Sequence, residues 1–211
     1  MPHSEFTEEP VEGLPEAPPE GEEVLWQGRP SALALARDAL NLYWIAGYFA
    51  LLAVWRVGAS SADIPLTQAL PLAVPFLLSG VVACGVLFVL ALIMARTTMY
   101  TITSARVAMR VGAALTVTLN LPFSKIESAD LSLRNDGVGT IAFSTPDDTR
   151  LSFLVLWPHV RPWRLARTQP ALRSIPNAQE AARIFAEAAE THVSRPQIAQ
   201  VSGAAAPVAA E

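Results

Sequence analysis

Ile64–Ala95 reads IPLTQALPLAVPFLLSGVVACGVLFVLALIMA and contains no charged side chain. The hydrocarbon core of a bilayer is about 30 Å thick, and a helix of about 20 residues crosses it. The run is long enough for one membrane span with residues left over for an interfacial lead-in. Its prolines, Pro65, Pro71 and Pro75, crowd toward the start. Proline suits the first turn of a helix and not its interior. The regular helix is therefore predicted over about 72–95.

Upstream, Leu40–Val57 is interrupted only by Asn41 and Arg56. Tyr43 and Trp44 mark one end and Trp55 the other, the pattern of interfacial aromatic belts. The region 37–95 thus reads as a two-helix hairpin with spans at about 40–57 and 72–95, joined by the short polar turn Gly58–Asp63. Arg29 and Arg37 precede it, and Arg96, Arg106 and Arg110 follow. The positive-inside rule then predicts a multi-pass protein of the bacterial cytoplasmic membrane with both termini cytoplasmic. Residues 1–30 are acidic and proline-rich and form a cytoplasmic N-terminal segment. They carry no basic n-region followed by an apolar stretch, so no cleavable signal peptide is expected. Within them Val24–Gly28 is a short apolar patch before a turn, and Ser31 is positioned to cap a helix over Ala32–Arg37.

After Thr97 the period changes from helical to alternating. Thr97–Thr103, Arg106–Val111 and Leu115–Leu121 read as strands, and Ile126–Leu133 as a weaker one. Asn135-Asp136-Gly137-Val138-Gly139 is a hairpin turn. Thr140–Ser144 and Leu151–Val155 are predicted strands flanking a second turn. Close-spaced short strands argue a β-sandwich or partly open barrel. Asn177 with Glu180 resembles a capping box, and apolar residues at helical spacing predict a closing helix over Ala178–Glu190. The β domain is placed at 97–190, with a disordered tail at 191–211.

Composition agrees with this division. The chain of 211 residues is 52% hydrophobic and 16% charged, with net charge −4. Soluble domains carry about 25% charged residues. No uniformly basic face exists, which sets nucleic acid aside. The single cysteine, Cys84, lies inside the apolar run and behaves as a small hydrophobe.

The residues Tyr100-Thr-Ile-Thr103, Arg106-Val107, Gly112, Leu121-Pro122 and Gly137-x-Gly139, set after a membrane hairpin, resemble a bacterial pleckstrin-homology (PH) domain. The flanks are more specific. They comprise Gly13-Leu14-Pro15, Leu25-Trp26-Gln27-Gly28-x-Pro30, Trp55-Arg56, Leu156-Trp157-Pro158-His159-x-Arg161-Pro162-Trp163-Arg164 and Leu172-Arg173-x-Ile175-Pro176. Together these look like the PuhB family of photosynthetic complex assembly proteins. That resemblance implies a helper that promotes assembly of the reaction centre and core light-harvesting complex of a purple bacterium. Its partners would be subunits of those complexes, in the intracytoplasmic photosynthetic membrane. It implies no cofactor and no catalytic residue.

The residues themselves point the same way. His3, His159 and His192 lie outside the spans and lack metal-ligand spacing. His159 is expected on the surface or in a loop. Ser, Cys and His are not arranged near plausible bases, and Asp147-Asp148 reads as a solvated turn, so no enzyme is expected. The sharpest surface feature is Arg161, Arg164, Arg167 and Arg173 interleaved with Trp157 and Trp163. An ordinary basic loop against anionic headgroups would look the same, at about 1 kcal/mol per basic residue. The functional alternative is a docking face, because Trp and Arg are favoured anchors. Trp26 and Arg29 join it as candidate partner-binding residues ahead of the hairpin. In the second span, Gly80, Gly85 and Cys84 form a small-residue face. It suits packing against the first span, with homodimerisation or a client helix as alternatives. The competing reading of the whole is a general envelope PH-domain protein that binds other membrane proteins or lipids. A transporter ranks last, because the spans carry almost no polar or ionisable residue.

Overall fold

The computed structural model describes residues 13–14, 16–112, 116–146, 151–162, 164 and 167–194. Trp163, Leu115, Asp147, Asp148, His3 and the tail beyond 194 lie outside the described residues.

Two long apolar helices form the hairpin. Helix α1 is Ala32–Asp38, α2 is Leu42–Ser60, α3 is Leu66–Ala69, and α4 is Val74–Thr97. A 3-10 turn over Leu70–Ala73 holds Pro71 and joins α3 to α4. The three prolines sit where early turns tolerate them, and the uninterrupted ladder begins at Val74. Both α2 and the run Leu66–Thr97 are long and apolar enough to cross a membrane. Only 6% and 11% of their most apolar windows are buried within the chain. A helix hidden in a soluble core would be mostly covered. Here Trp44, Leu51, Val54, Val81 and Val82 stand 66–80% exposed. Gly80 lets the two helices approach: a Cβ there would lie 2.8 Å from the Phe49 Cβ. The small-residue face thus packs in part against the chain's own first helix. Gly85 meets nothing within 4 Å, and Cys84 is half-buried.

The β region contains two antiparallel sheets. The first has the order β1 (Val24–Gly28), β2 (Met99–Thr103), β3 (Arg106–Val111), β4 (Val117–Pro122). The second has β5 (Ser128–Leu133), β6 (Gly139–Ser144) and β7 (Ala171–Ile175). Helix α6, Ala178–Ser194, closes the domain. Tyr100, Ile102, Val107, Met109, Ile141, Phe143, Leu172 and Ile175 fill the space between the sheets, and Phe185 of α6 covers it.

Four expectations change. The patch 24–28 is a strand and not part of a separate N-terminal segment. Trp26 pairs with Ile102 and Gly28 with Tyr100, so the sheet takes in residues from both sides of the hairpin. The domain boundary at 97 therefore moves: the β unit also includes residues upstream of 30. Leu151–Val155 is not a strand; a single helical turn, α5 (Phe153–Leu156), stands there. The proline-punctuated stretch after it holds β7, which lies beside β6. Lastly, α6 continues through residues 191–194, which were assigned to the tail. For the two strands a tertiary partner decides the conformation. Val24–Gly28 and Ala171–Ile175 are too short to declare themselves, and each finds its ladder on a strand distant in sequence.

The turn at 135–139 forms as read. Gly137 adopts φ 78°, and the Arg134 amide donates to the Val138 carbonyl. Gly139 is needed for another reason: a Cβ there would lie 2.6 Å from the Ala178 Cβ and 2.8 Å from the Ser132 carbonyl oxygen. Helix α6 packs directly over that backbone.

Candidate functional site

The segment after β6 combines exposed apolar and basic side chains. Helix α5 turns Leu156 inward, 3% exposed, and leaves Leu154 85%, Val155 53% and Trp157 41% exposed. A strand would have sent alternate residues inward. The one-turn helix instead presents adjacent apolar residues to the outside. Arg164 and Arg167 are exposed further along the same segment. Arg161 is held by Asp130 of β5 and donates to Gln169 at 3.2 Å. Leu154 and Val155 belong to this face and were missed in the sequence because they were assigned to a strand.

Arg173 does not belong to that face. It is buried, 8% exposed, on β7. Its guanidinium donates to the Pro158 carbonyl at 3.0 Å and to the Asp38 carbonyl at the end of α1. A cation at a helix C-terminus faces the unsatisfied carbonyls there. Burial pulls its pKa down from the ordinary arginine value, and the nearby Asp38 opposes that. Arg173 joins α1, the loop before β7 and the second sheet, and is not a free anchor.

His159 is likewise inside, 2% exposed, not on the surface. It is the middle of a buried polar chain. The Arg173 amide donates to the Tyr100 hydroxyl at 3.2 Å. That hydroxyl, its acceptor side engaged, donates to His159 Nδ1. Nε2 then carries the proton and donates to Thr98 Oγ1 at 3.1 Å. The chain satisfies a neutral imidazole. Burial pulls the His159 pKa down to about 4, with the positive Arg173 acting in the same direction. Burial pushes the Tyr100 hydroxyl up. Thr98 ends α4, Tyr100 lies on β2 and Arg173 on β7, so the network fixes the root of the apolar hairpin to both sheets.

Trp26 packs against the core, with its ring against Gly28. Arg29 lines a small groove with Arg96 and Arg110 at the base of α4. The two therefore lie apart from each other in role.

A larger cleft of about 650 Å³ opens where α2 leaves the domain, between Tyr43 and Trp44 on one side and β5–β7 on the other. Arg37, Arg134 and Arg173 reach it, and Asp38 bonds Arg37 at 2.9 Å and Arg134 at 2.9 Å. Nothing in the order of residues announced this cluster, because Asp38 and Arg134 meet only when the hairpin root docks on the second sheet.

The comparisons with known proteins follow the same architecture. The chain is 46% identical over 213 residues to an "uncharacterized 23.7 kDa protein in puhA 5'region" of Rhodobacter capsulatus; the match covers 99% of this chain and all of that one. No solved structure matches. The bacterial PH domain family matches residues 40–189, from the start of the first apolar helix to the closing helix. On that match, and on the two antiparallel sheets capped by α6, the chain belongs to the bacterial PH domain family.

Proposed function

We propose that this protein is a membrane-anchored assembly factor for the photosynthetic reaction centre and its core light-harvesting complex. The observation that carries the reading is the full-length relative whose name places it in the puhA 5' region, taken with the flanking motifs that resemble the PuhB family of photosynthetic complex assembly proteins. The structure supplies a suitable surface: Leu154, Val155 and Trp157 exposed beside Arg164 and Arg167. An apolar centre with an Arg and Trp contribution is what a protein interface uses for its anchors. Its role is docking of subunits and not catalysis.

Replacing Leu154, Trp157 and Arg164 together with Ala should lower the near-infrared absorbance of assembled complexes in intact membranes. An immunoblot should show unchanged amounts of this protein, because all three side chains are exposed. Normal absorbance at normal protein level would remove the docking role from α5 and its neighbours.

Topology is part of the proposal. The β1–β2 ladder hydrogen-bonds residues on both sides of the hairpin, so both ends of the hairpin must lie on one face of the membrane. The arginine bias makes that face cytoplasmic. Reporter fusions after Glu23 and after Glu190 should both read as cytoplasmic, and one at Ser61–Asp63 as periplasmic. Opposite signals from the first two would contradict the arrangement.

A further inference from the structure

The cleft at the root of α2 is separate from the exposed face around α5, and its chemistry is different. Three of its arginines are already matched: Arg37 and Arg134 by Asp38 and Asp136, Arg161 by Asp130. Arg173 is not. Its two side-chain hydrogen bonds go to carbonyl oxygens, and among the described residues no carboxylate pairs with it. A guanidinium has five N–H donors, so donor capacity remains. Next to it on β7, Ser174 is 1% exposed and lines the same cleft, and its hydroxyl has no hydrogen-bond partner. Buried hydroxyls are nearly always paired. Ser174 is also held at φ 55°, with its carbonyl taken by the Ser31 amide at 2.8 Å. The third contribution is the N-terminus of α2, where Asn41 makes no side-chain cap. The first amides of that helix favour an anion.

We propose that this cleft binds the phosphate of an anionic phospholipid, whose acyl chains lie along α2. The inference rests on α2 spanning the membrane, and not on the identity of any client protein. One guanidinium without an ion pair complements the single negative charge of a phosphodiester. Free phosphate near pH 7 carries about one and a half to two charges. The cleft also opens beside Tyr43 and Trp44, which are 62% and 80% exposed at the point where the apolar helix begins. Such rings sit at headgroup depth. Its volume of about 650 Å³ suits a glycerophosphate headgroup. A choline headgroup would bring a further cation into a cleft lined by four arginines and two aspartates, so phosphatidylglycerol should be preferred to phosphatidylcholine.

The test is native mass spectrometry of the full chain in mild detergent, titrated with each of these two lipids at matched acyl composition. One phosphatidylglycerol should be retained per chain, about tenfold more tightly than phosphatidylcholine, as expected when a charge-assisted hydrogen bond is gained and a like-charge contact avoided. Arg173→Gln should weaken retention about tenfold. Ser174→Ala should weaken it several-fold, roughly the loss of one hydrogen bond, while leaving thermal stability equal or higher, because the hydroxyl it removes has no partner. That second variant keeps the test intact if Arg173→Gln fails to fold. Equal retention of the two lipids, or retention untouched in Ser174→Ala, would overturn the proposal. Displacement of the lipid by millimolar inorganic phosphate would also overturn it, by making the ligand a soluble anion. Carbonate extraction of membranes reports separately on the span itself.

Discussion

Phe185→Ala should destabilise the protein by about 3–5 kcal/mol, the range for truncating a buried phenylalanine to alanine. The ring is only 8% exposed. It meets Phe123 edge-on with centroids 5.5 Å apart, and Phe143 at 5.1 Å in a tilted contact. Phe123 follows β4 and Phe143 lies on β6, so one side chain of α6 bridges the two sheets. Removing it leaves a void lined by two aromatic rings that belong to different sheets. The two rings are carried by different elements, the turn after β4 and strand β6, so collapse cannot fill the void cheaply. Equilibrium urea unfolding in mild detergent, followed by near-ultraviolet circular dichroism, measures the loss. Arg183→Ala on the exposed side of the same helix is the control: its partner Glu187 is also exposed, and surface pairs contribute little. A change near zero for Phe185→Ala would mean that α6 does not close the core.

The long apolar runs and the alternating strands were legible because each carries its own period over many residues. The hairpin spans fell within two or three residues of their observed limits, and β3 was read to the residue. What escaped were elements defined by a distant partner. Val24–Gly28 is apolar enough to be noticed and too short to be assigned, and its ladder on Met99–Thr103 lies across the whole hairpin. Ala171–Ile175 was hidden among prolines; Pro170 and Pro176 bound the strand and do not interrupt it. The same cause governs the site. Arg173 belonged, by spacing, to a basic cluster with Arg161, Arg164 and Arg167. One residue of a short buried strand cannot be distinguished from a surface arginine until the strand is seen. Arg161, Arg164 and Arg167 stayed outside, while Arg173 and His159 went inside, and only three-dimensional packing makes that cut.

This interleaving has a mechanical consequence. The sheet is built from β1 before the hairpin and β2 after it, and Thr98, Tyr100, His159 and Arg173 tie α4 to both sheets. The domain therefore cannot pivot on a loose linker. It is held against the apolar hairpin in one orientation, with α1 and the Arg37–Asp38–Arg134 cluster wedged against the second sheet. A docking face carried by such a domain presents itself at fixed height and angle. That is what the proposed docking role requires.

The same buried network predicts acid sensitivity. The His159 pKa is pulled down to about 4 in the folded chain, below its ordinary value of 6.5. Between those values the unfolded chain takes up a proton that the folded chain refuses. Stability must then rise with pH across that window. The contribution is fully present above pH 6.5 and is lost progressively as pH falls to about 4. Its size is about 3 kcal/mol, taking 1.36 kcal/mol per unit of pKa difference. The groups that face the ring agree with this sign: Tyr100 and Thr98 are neutral, and among the described residues the charge that acts on it is the positive Arg173. Protonation of Nδ1 would also turn the acceptor of the Tyr100 hydroxyl into a donor and break the chain at its centre. His159→Gln should be less stable than the natural protein at pH 7, because the Tyr100 and Thr98 bonds lose their partner geometry. The gap should narrow by about 3 kcal/mol by pH 4, where the histidine has lost its advantage. Unfolding free energies of both proteins at pH 7, 5.5 and 4 read this directly, and carboxylates common to both cancel in the difference. Parallel pH profiles would mean that His159 titrates normally in the folded chain, and that the polar chain from Arg173 to Thr98 is open to water.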